Sequence, residues 1–306
     1  DEECLKFAAQ IATKTGCRLV TDTFVSRIRR GAGLPIVQQV PYFSEMAEDF
    51  LQGTESIVFI GTKPPVSFFA YPDKKSFLSP DEAELFELCS VEENGYEALA
   101  LLSELSGSPK IANELIRPYI SDVPTSGDLD ITTLGPLIAD IMPEESIVSD
   151  ESATSSLIVT PHALQAKPHD WLALTGGSIG QGLPLAIGAS IAKPDRPVIT
   201  LHGDGGAMYT VQALWTQARE NLNITNIIFS NRSYEILKIE LDRVQAVETG
   251  ERAASMFSMD NPPIDWVNLA ESMGVQGYKP KTVKEFKDVF SKSINESGPS
   301  LIEIEI

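Results

Sequence analysis

The stretch "PVITLHGDGGAMYTVQALWTQARENLNITNIIFSNRSY", residues 197–234, opens on an apolar run of strand length and breaks at Gly203-Asp204-Gly205. A helix is expected from Tyr209, followed by a second apolar run that ends in Asn231. Strand, turn, helix and strand in this order make a parallel βαβ unit. Ligands of such sheets sit beyond the carboxyl ends of the strands, where Gly203-Asp204-Gly205 falls. Glycines on both sides of Asp204 let backbone approach a ligand, and the helix that follows aims free N–H groups at it, which suits a phosphate. An aspartate facing a phosphate needs a cation between them, and magnesium accepts a few protein oxygens together with phosphate oxygens. If the two strands are neighbours, the Asn231 side-chain oxygen lies beside Asp204, and the turn "NRS" can add the Ser233 carbonyl. Taken alone, Gly-Asp-Gly reads sooner as a tight turn than as a ligand site.

The alternation extends both ways from this unit. Downstream come a helix from Tyr234, helices in "DWVNLAESMG" and "VKEFKDVFSKSIN", and a closing strand "LIEIEI". Upstream lie a helix "ITTLGPLIADIMP", strands "SIVSD" and "WLALT", and a helix "LPLAIGASIA". The strands are apolar on both alternations, so both sheet faces should be covered. The expected fold is α/β, with two doubly wound parallel-sheet domains. Residues 1–108 form a smaller α/β domain with strands in "CRLVTDT", "SIVFIGT" and "LFELCS". Residues 109–129, with prolines and small polar residues, form a linker, and residues 130–306 form the second domain.

Composition narrows the function. The 306 residues carry 24 basic and 43 acidic side chains, a formal charge of −19. A phosphate polymer would be repelled, and no basic patch offsets this, so nucleic acid is not an expected partner. Cys4, Cys17 and Cys89 have neither disulfide nor zinc spacing. No apolar run reaches membrane-spanning length, and "DEECLKFAAQ" is no signal peptide, so a cytoplasmic protein is expected. The nucleotide-dehydrogenase fingerprint Gly-x-Gly-x-x-Gly is absent after the first strand.

Gly-Asp-Gly, a helix, a β-rich strand and a strand-ending Asn resemble the diphosphate-binding signature of thiamine diphosphate (ThDP) enzymes. "LTGGSIGQGLPLAIGAS", residues 174–190, resembles the segment of that family that grips the middle of the cofactor. The resemblance runs on through "GERAASMFSMDNPPIDWVNLAESMGV" to "GPSLIEIEI". "RGAGLPIVQQVPYF" and "GTKPPVSFFAYP" resemble the central domain of the acetolactate synthase and benzoylformate decarboxylase group.

The resemblance implies that Asp204, Asn231 and the Ser233 carbonyl ligate Mg2+. It implies that Gly203, Gly205, Gly206 and Ala207 cradle the diphosphate, and that Thr154 touches it from the other side. Ile179 would be the apolar wedge that holds the two cofactor rings in a V, with the Gly177 carbonyl accepting from the cofactor amino group and Ile236 lining the same site. The expected substrate is a 2-oxo acid, decarboxylated or ligated to an acceptor. FAD is not expected.

The family's essential glutamate lies in a pyrimidine-binding domain to which nothing in this chain corresponds. The expectation is therefore a central domain lacking its first strand, part of a longer chain and inactive alone, with the missing domain supplied by the full chain or a partner subunit. A homodimer or homotetramer is implied. Ser230, Leu237 and Glu240 stand where acetolactate synthases or pyruvate decarboxylases carry other residues, so "YEIL" gives a more apolar wall, closer to benzoylformate decarboxylase. A non-catalytic ThDP-binding or assembly module is the competing reading from another class. His202 reads as structural or solvent-facing, His162 and His169 as loop residues near the pocket, and Met208 and Trp215 as core.

Overall fold

The computed structural model describes residues 2–112, 123–244 and 250–306. The chain begins with α1 (Glu2–Thr15), β1 (Val20–Thr21), β2 (Ile28–Arg30), β3 (Gln38–Gln39), α2 (Ser44–Leu51), β4 (Ser56–Ile60), β5 (Glu84–Cys89) and α3 (Gly95–Leu105). It continues with α4 (Ile131–Ile141), β6 (Ile147–Glu151), α5 (Ser156–Ala163), β7 (His169–Leu172), α6 (Gly182–Ala192) and β8 (Val198–Gly203). Then come α7 (Asp204–Ala207), α8 (Ala213–Arg219), β9 (Ile224–Ser230), α9 (Glu235–Arg243) and α10 (Glu251–Ser255). The last elements are α11 (Trp266–Ser272), β10 (Gln276–Tyr278), α12 (Val283–Asn295) and β11 (Ser300–Glu305).

Two units emerge. One comprises Asp1–Val25, Leu34–Ile116 and Arg243–Gln245, and the other Ser26–Gly33, Arg117–Asp242 and Ala246–Ile306. These units depart from the sequence division at residue 108 chiefly in that Ser26–Gly33 leaves the first unit, while Arg243–Gln245 joins it. The reason is electrostatic and steric. β2 pairs antiparallel with β7, and Arg27 and Arg196 bind the buried Asp170 at 2.9 and 2.7 Å. Arg30 lies 3.7 Å over the Trp171 ring. Residues 28–30, two of them arginines, form an edge strand because these cations meet a buried carboxylate and an indole face. In the first unit, β1 pairs with β3 and β4 with β5, both in parallel, as two separate pairs.

The second unit is a seven-stranded sheet of order β10-β11-β9-β8-β6-β7-β2, parallel except for β2. Alternate strand residues supply its two cores, as a period of two requires. Val148, Ile199, Leu201, Ile227, Phe229, Ile302 and Ile304 pack with Leu134, Leu137, Val159, Phe286 and Phe290 from α4, α5 and α12. Ile147, Val198, Ile224, Ile228 and Leu301 face Leu183, Ala186, Leu214, Trp266 and Ala270 from α6, α8 and α11. One set of polar groups buried on the sheet is mutually paired: Thr200 donates to Asn226 at 3.0 Å, and Asn226 donates to Gln217 at 2.8 Å.

Several local expectations change. The helix after Gly-Asp-Gly is split into the single turn α7 and then α8 from Ala213, rather than running from Tyr209. Met208 and Trp215, read as core, are exposed. Of the expected linker, residues 113–122 lie outside the described residues. Its end is tied down instead of loose, with Leu129 N–H donating to Lys281 at 3.0 Å and Val283 N–H donating to Gly127 at 3.0 Å. Among the described residues no helix is long and apolar enough to cross a membrane.

Candidate functional site

The chain passes from β6 to β7 on one side of β6 and returns to β8 on the other, so the sheet order reverses between β6 and β8. At such a reversal the connections leave to opposite faces and open a crevice beyond the strand ends. Three adjacent strands deliver their next residues there: β6 leads into Glu151 and Thr154, β8 into Asp204, and β9 into Asn231.

Asp204 is 3% exposed. Its Oδ1 accepts from Gly205 N–H at 2.8 Å, and its Oδ2 accepts from Arg232 N–H at 2.7 Å, which ties the β8 turn to the β9 turn. Burial pushes its pKa up, and the amide hydrogen bonds only partly oppose this. No ion pair reaches it among the described residues; the Arg232 guanidinium instead engages Glu305 and Asp260. A buried carboxylate without a contacting counter-charge is costly unless a cation joins it.

The Asn231 Oδ1 accepts from Ser233 N–H at 3.0 Å, which folds the "NRS" turn so that one amide oxygen lone pair stays open. The Ser233 hydroxyl is spent on Glu235 at 3.1 Å, leaving its carbonyl as the group the turn can offer. No set of three or more His, Cys, Asp or Glu gathers as a metal cluster among the described residues; the donors here are one carboxylate, one amide and one carbonyl.

The glycine turn is closely built. A Cβ on Gly205 would stand 2.7 Å from the Tyr234 ring, and one on Gly206 would stand 2.8 Å from Glu151 Oε1. Gly205 N–H is occupied by Asp204, which narrows the expected cradle. Gly206 lies in the first turn of α7, after the N-cap Gly203, where backbone amides have no intrahelical acceptor.

Across the crevice runs the loop between β7 and α6, with Gly176 and Gly177 both at positive φ (65° and 66°). It presents Ile179 with 43% of its surface exposed. Thr154 sits in a short 3-10 turn after β6, and Ile236 is half-buried on α9, beside the exposed Leu237. The histidines do not gather here as loop residues. His169 is fully buried in β7, with its Nδ1 2.7 Å from the Lys167 carbonyl, and His162 lies in α5.

Sequence reading missed Glu151. It is 4% exposed, accepts from Gly180 N–H and, at 2.7 Å, from Gly182 N–H, and lies 3.2 Å from Nε2 of the fully buried His202. Burial pushes its pKa up, but His202 and the two amides more than offset this and hold the carboxyl below its ordinary value. The available signal was its place at the carboxyl end of an apolar strand, the criterion that singled out Asp204. His202 faces no solvent and belongs to this frame.

Residues 153–304 match the thiamine pyrophosphate enzyme C-terminal TPP-binding domain. Over 306 aligned residues the chain is 41% identical to the Mycobacterium tuberculosis protein IlvX, provisionally named an acetolactate synthase large subunit. The alignment covers 98% of this chain and 58% of that protein. The chain is 25% identical over 216 residues to benzoylformate decarboxylase of Pseudomonas aeruginosa, covering 67% of this chain and 40% of that one. The solved 4-hydroxybenzoylformate decarboxylase of Rhodococcus jostii RHA1 superposes with a TM-score of 0.75 at 24% identity, over 98% of this chain and 58% of that chain. The benzoylformate decarboxylase of Polynucleobacter necessarius gives 0.78 at 20% identity, over 100% and 59%. These two likenesses speak for the fold. The chain thus spans a little under three fifths of such proteins.

Proposed function

We propose, from the premise that this chain belongs to the thiamine diphosphate-dependent enzyme family, that the crevice beyond β6, β8 and β9 binds ThDP through Mg2+ and serves an enzyme acting on 2-oxo acids. The observation that carries the reading is Asp204: a buried carboxylate with no ion-pair partner among the described residues, set at the first turn of α7 and tied to the turn after Asn231 through Arg232 N–H. A hard cation with oxygen ligands suits that donor set, and a diphosphate suits the amides.

In this reading Asp204, Asn231 and the Ser233 carbonyl hold the metal. Gly206 and Ala207 donate to the diphosphate, Gly203 and Gly205 let the backbone come close, and Thr154 meets it from the β6 side. Ile179 wedges the rings, the Gly177 carbonyl accepts from the cofactor amino group, and Ile236 lines the site. Bound there, the cofactor supplies the electron sink needed when a 2-oxo acid loses carbon dioxide. The chain's own part is to bind, orient and exclude water.

The whole protein is read as acetolactate synthase-like, with decarboxylation or carboligation of 2-oxo acids. It works as a homo-oligomer, with the pyrimidine-binding domain and its glutamate supplied by further polypeptide or by a partner subunit. The apolar wall of Tyr234, Ile236 and Leu237 favours a benzoylformate decarboxylase-like lyase as the second reading, because an aromatic side chain on the substrate would bury against it.

The test is calorimetric titration of ThDP with magnesium or with EDTA. Binding is expected only with magnesium, and Asp204→Ala is expected to weaken it at least 100-fold, since a buried charge-assisted partner is removed. Equal binding by Asp204→Ala would overturn the metal assignment. Magnesium- and ThDP-dependent release of carbon dioxide by the native protein, with pyruvate compared against benzoylformate, then separates the two substrate readings.

A further inference from the structure

Ile179 presents a contradiction: a residue nearly half exposed, on a glycine-rich loop, must stand still if it is to shape a ligand. The backbone on each side of it resolves this. Gly180 N–H donates to Glu151 while its carbonyl accepts from Thr210 Oγ1 at 2.6 Å. Gly182 N–H donates to Glu151 at 2.7 Å while its carbonyl accepts from Ser149 Oγ at 2.9 Å. Gly180 and Gly182 are therefore each held at both N–H and C=O, and the two carboxylate oxygens of Glu151 serve one amide each.

The same carboxylate reaches the opposite wall of the crevice. Gly206 of the diphosphate turn approaches Glu151 Oε1 so closely that a Cβ would stand 2.8 Å away, and Gly182 approaches His202 within a similar distance, 2.8 Å to Cδ2. Glu151 thus lies between the loop that carries Ile179 and the turn that carries Asp204, touching both.

We propose that Glu151 is the positioning residue that fixes the Ile179 loop against the Gly203–Ala207 turn, and so sets where the cofactor rings sit once the diphosphate is anchored. The proposal rests on the ThDP reading of this site. Glu151 acts through Gly180, Gly182 and Gly206, and its contribution falls on the ring end of the ligand rather than on the diphosphate end.

Glu151→Gln tests it, since the amide keeps the shape but has one acceptor, and its NH2 must face one glycine N–H. Leaving a buried donor unpaired should loosen the loop about tenfold or more. In the unliganded protein, hydrogen exchange at residues 177–182 is expected to speed up by that factor while residues 224–230 of β9 keep their protection. With magnesium present, ThDP affinity should fall tenfold or more, while the affinity for pyrophosphate, which has no rings, should change less than about twofold. Unchanged exchange in the loop, or equal losses for ThDP and pyrophosphate, would overturn the positioning role. If Glu151→Gln fails to fold, Glu151→Asp retains the charge beside His202 and withdraws it by one methylene; the same loop exchange is then expected, and its absence counts equally against the proposal. Failure of the wild-type protein to bind ThDP would instead strike the functional reading, and the exchange measurement would still decide the grip.

Discussion

At the residue scale, what the sequence made visible was chemistry with a fixed address. Gly203-Asp204-Gly205 and Asn231 stand out because each ends an apolar run, and strand ends are where open α/β sheets keep their ligands. Glu151 occupies the same kind of address but was hidden, because a lone acid gives no local sign that two backbone amides and a histidine will surround it. His169 was misread for a related reason: whether an imidazole lies in a strand or a loop depends on where the ladder begins, two residues before "WLALT". Its burial has a measurable consequence. Desolvation, the largest cause, lowers its pKa to about 4 from 6.5, with the Lys167 carbonyl opposing. The folded value lies below the unfolded one, so between pH 6.5 and 4 the unfolded chain takes up the proton first, and stability falls as the pH falls. About 3 kcal/mol should be lost at pH 4 from this residue alone. Urea unfolding of wild type and His169→Gln at pH 7 and 4 should show the variant losing less, and equal losses would count against a buried neutral imidazole.

At the scale of elements, the long strands and helices were legible because their periods are strong. The strands that became β6, β8 and β9 are buried along nearly their whole length, their Val and Ile residues supplying the apolar run and Ser149, Asp150, Thr200 and Asn226 among them buried as polar groups. The helix "VKEFKDVFSKSIN" buries Val283, Phe286 and Phe290 at i, i+3 and i+7 and opens on a Thr282–Glu285 capping box. What failed was β2, three residues including two arginines. No propensity marks it; it exists because Asp170 and Trp171 are waiting on β7, a tertiary cause that a local reading cannot contain. Gly31 is the hinge of this docking, at φ +129° with a Cβ position 2.8 Å from the Lys167 carbonyl oxygen and from Pro168 Cα. Gly31→Ala combines a disfavoured backbone with a clash against backbone atoms, and should cost about 2–5 kcal/mol. Urea unfolding checks this, and a change below about 0.5 kcal/mol would contradict the docking of β2.

At the scale of the whole molecule, the doubly wound order of the second unit follows from the alternation of strands and helices, and the crevice follows from that order. Helix α8 begins later than expected because α7 is only a single turn. Met208 and Trp215 are exposed although the pattern placed them in the core, since apolar identity alone does not say which face of a helix is covered. The chain spans 58% of the length of the relative IlvX, and the metal and diphosphate assignment rests on the second unit alone. The measurement that tests that assignment most directly is anomalous diffraction from the protein crystallised with ThDP and manganese, which takes oxygen ligands as magnesium does. One anomalous peak is expected, within coordination distance of Asp204, Asn231 and the Ser233 carbonyl and next to the diphosphate. A peak elsewhere, or a diphosphate bound in the crevice without a metal on Asp204, would contradict the assignment.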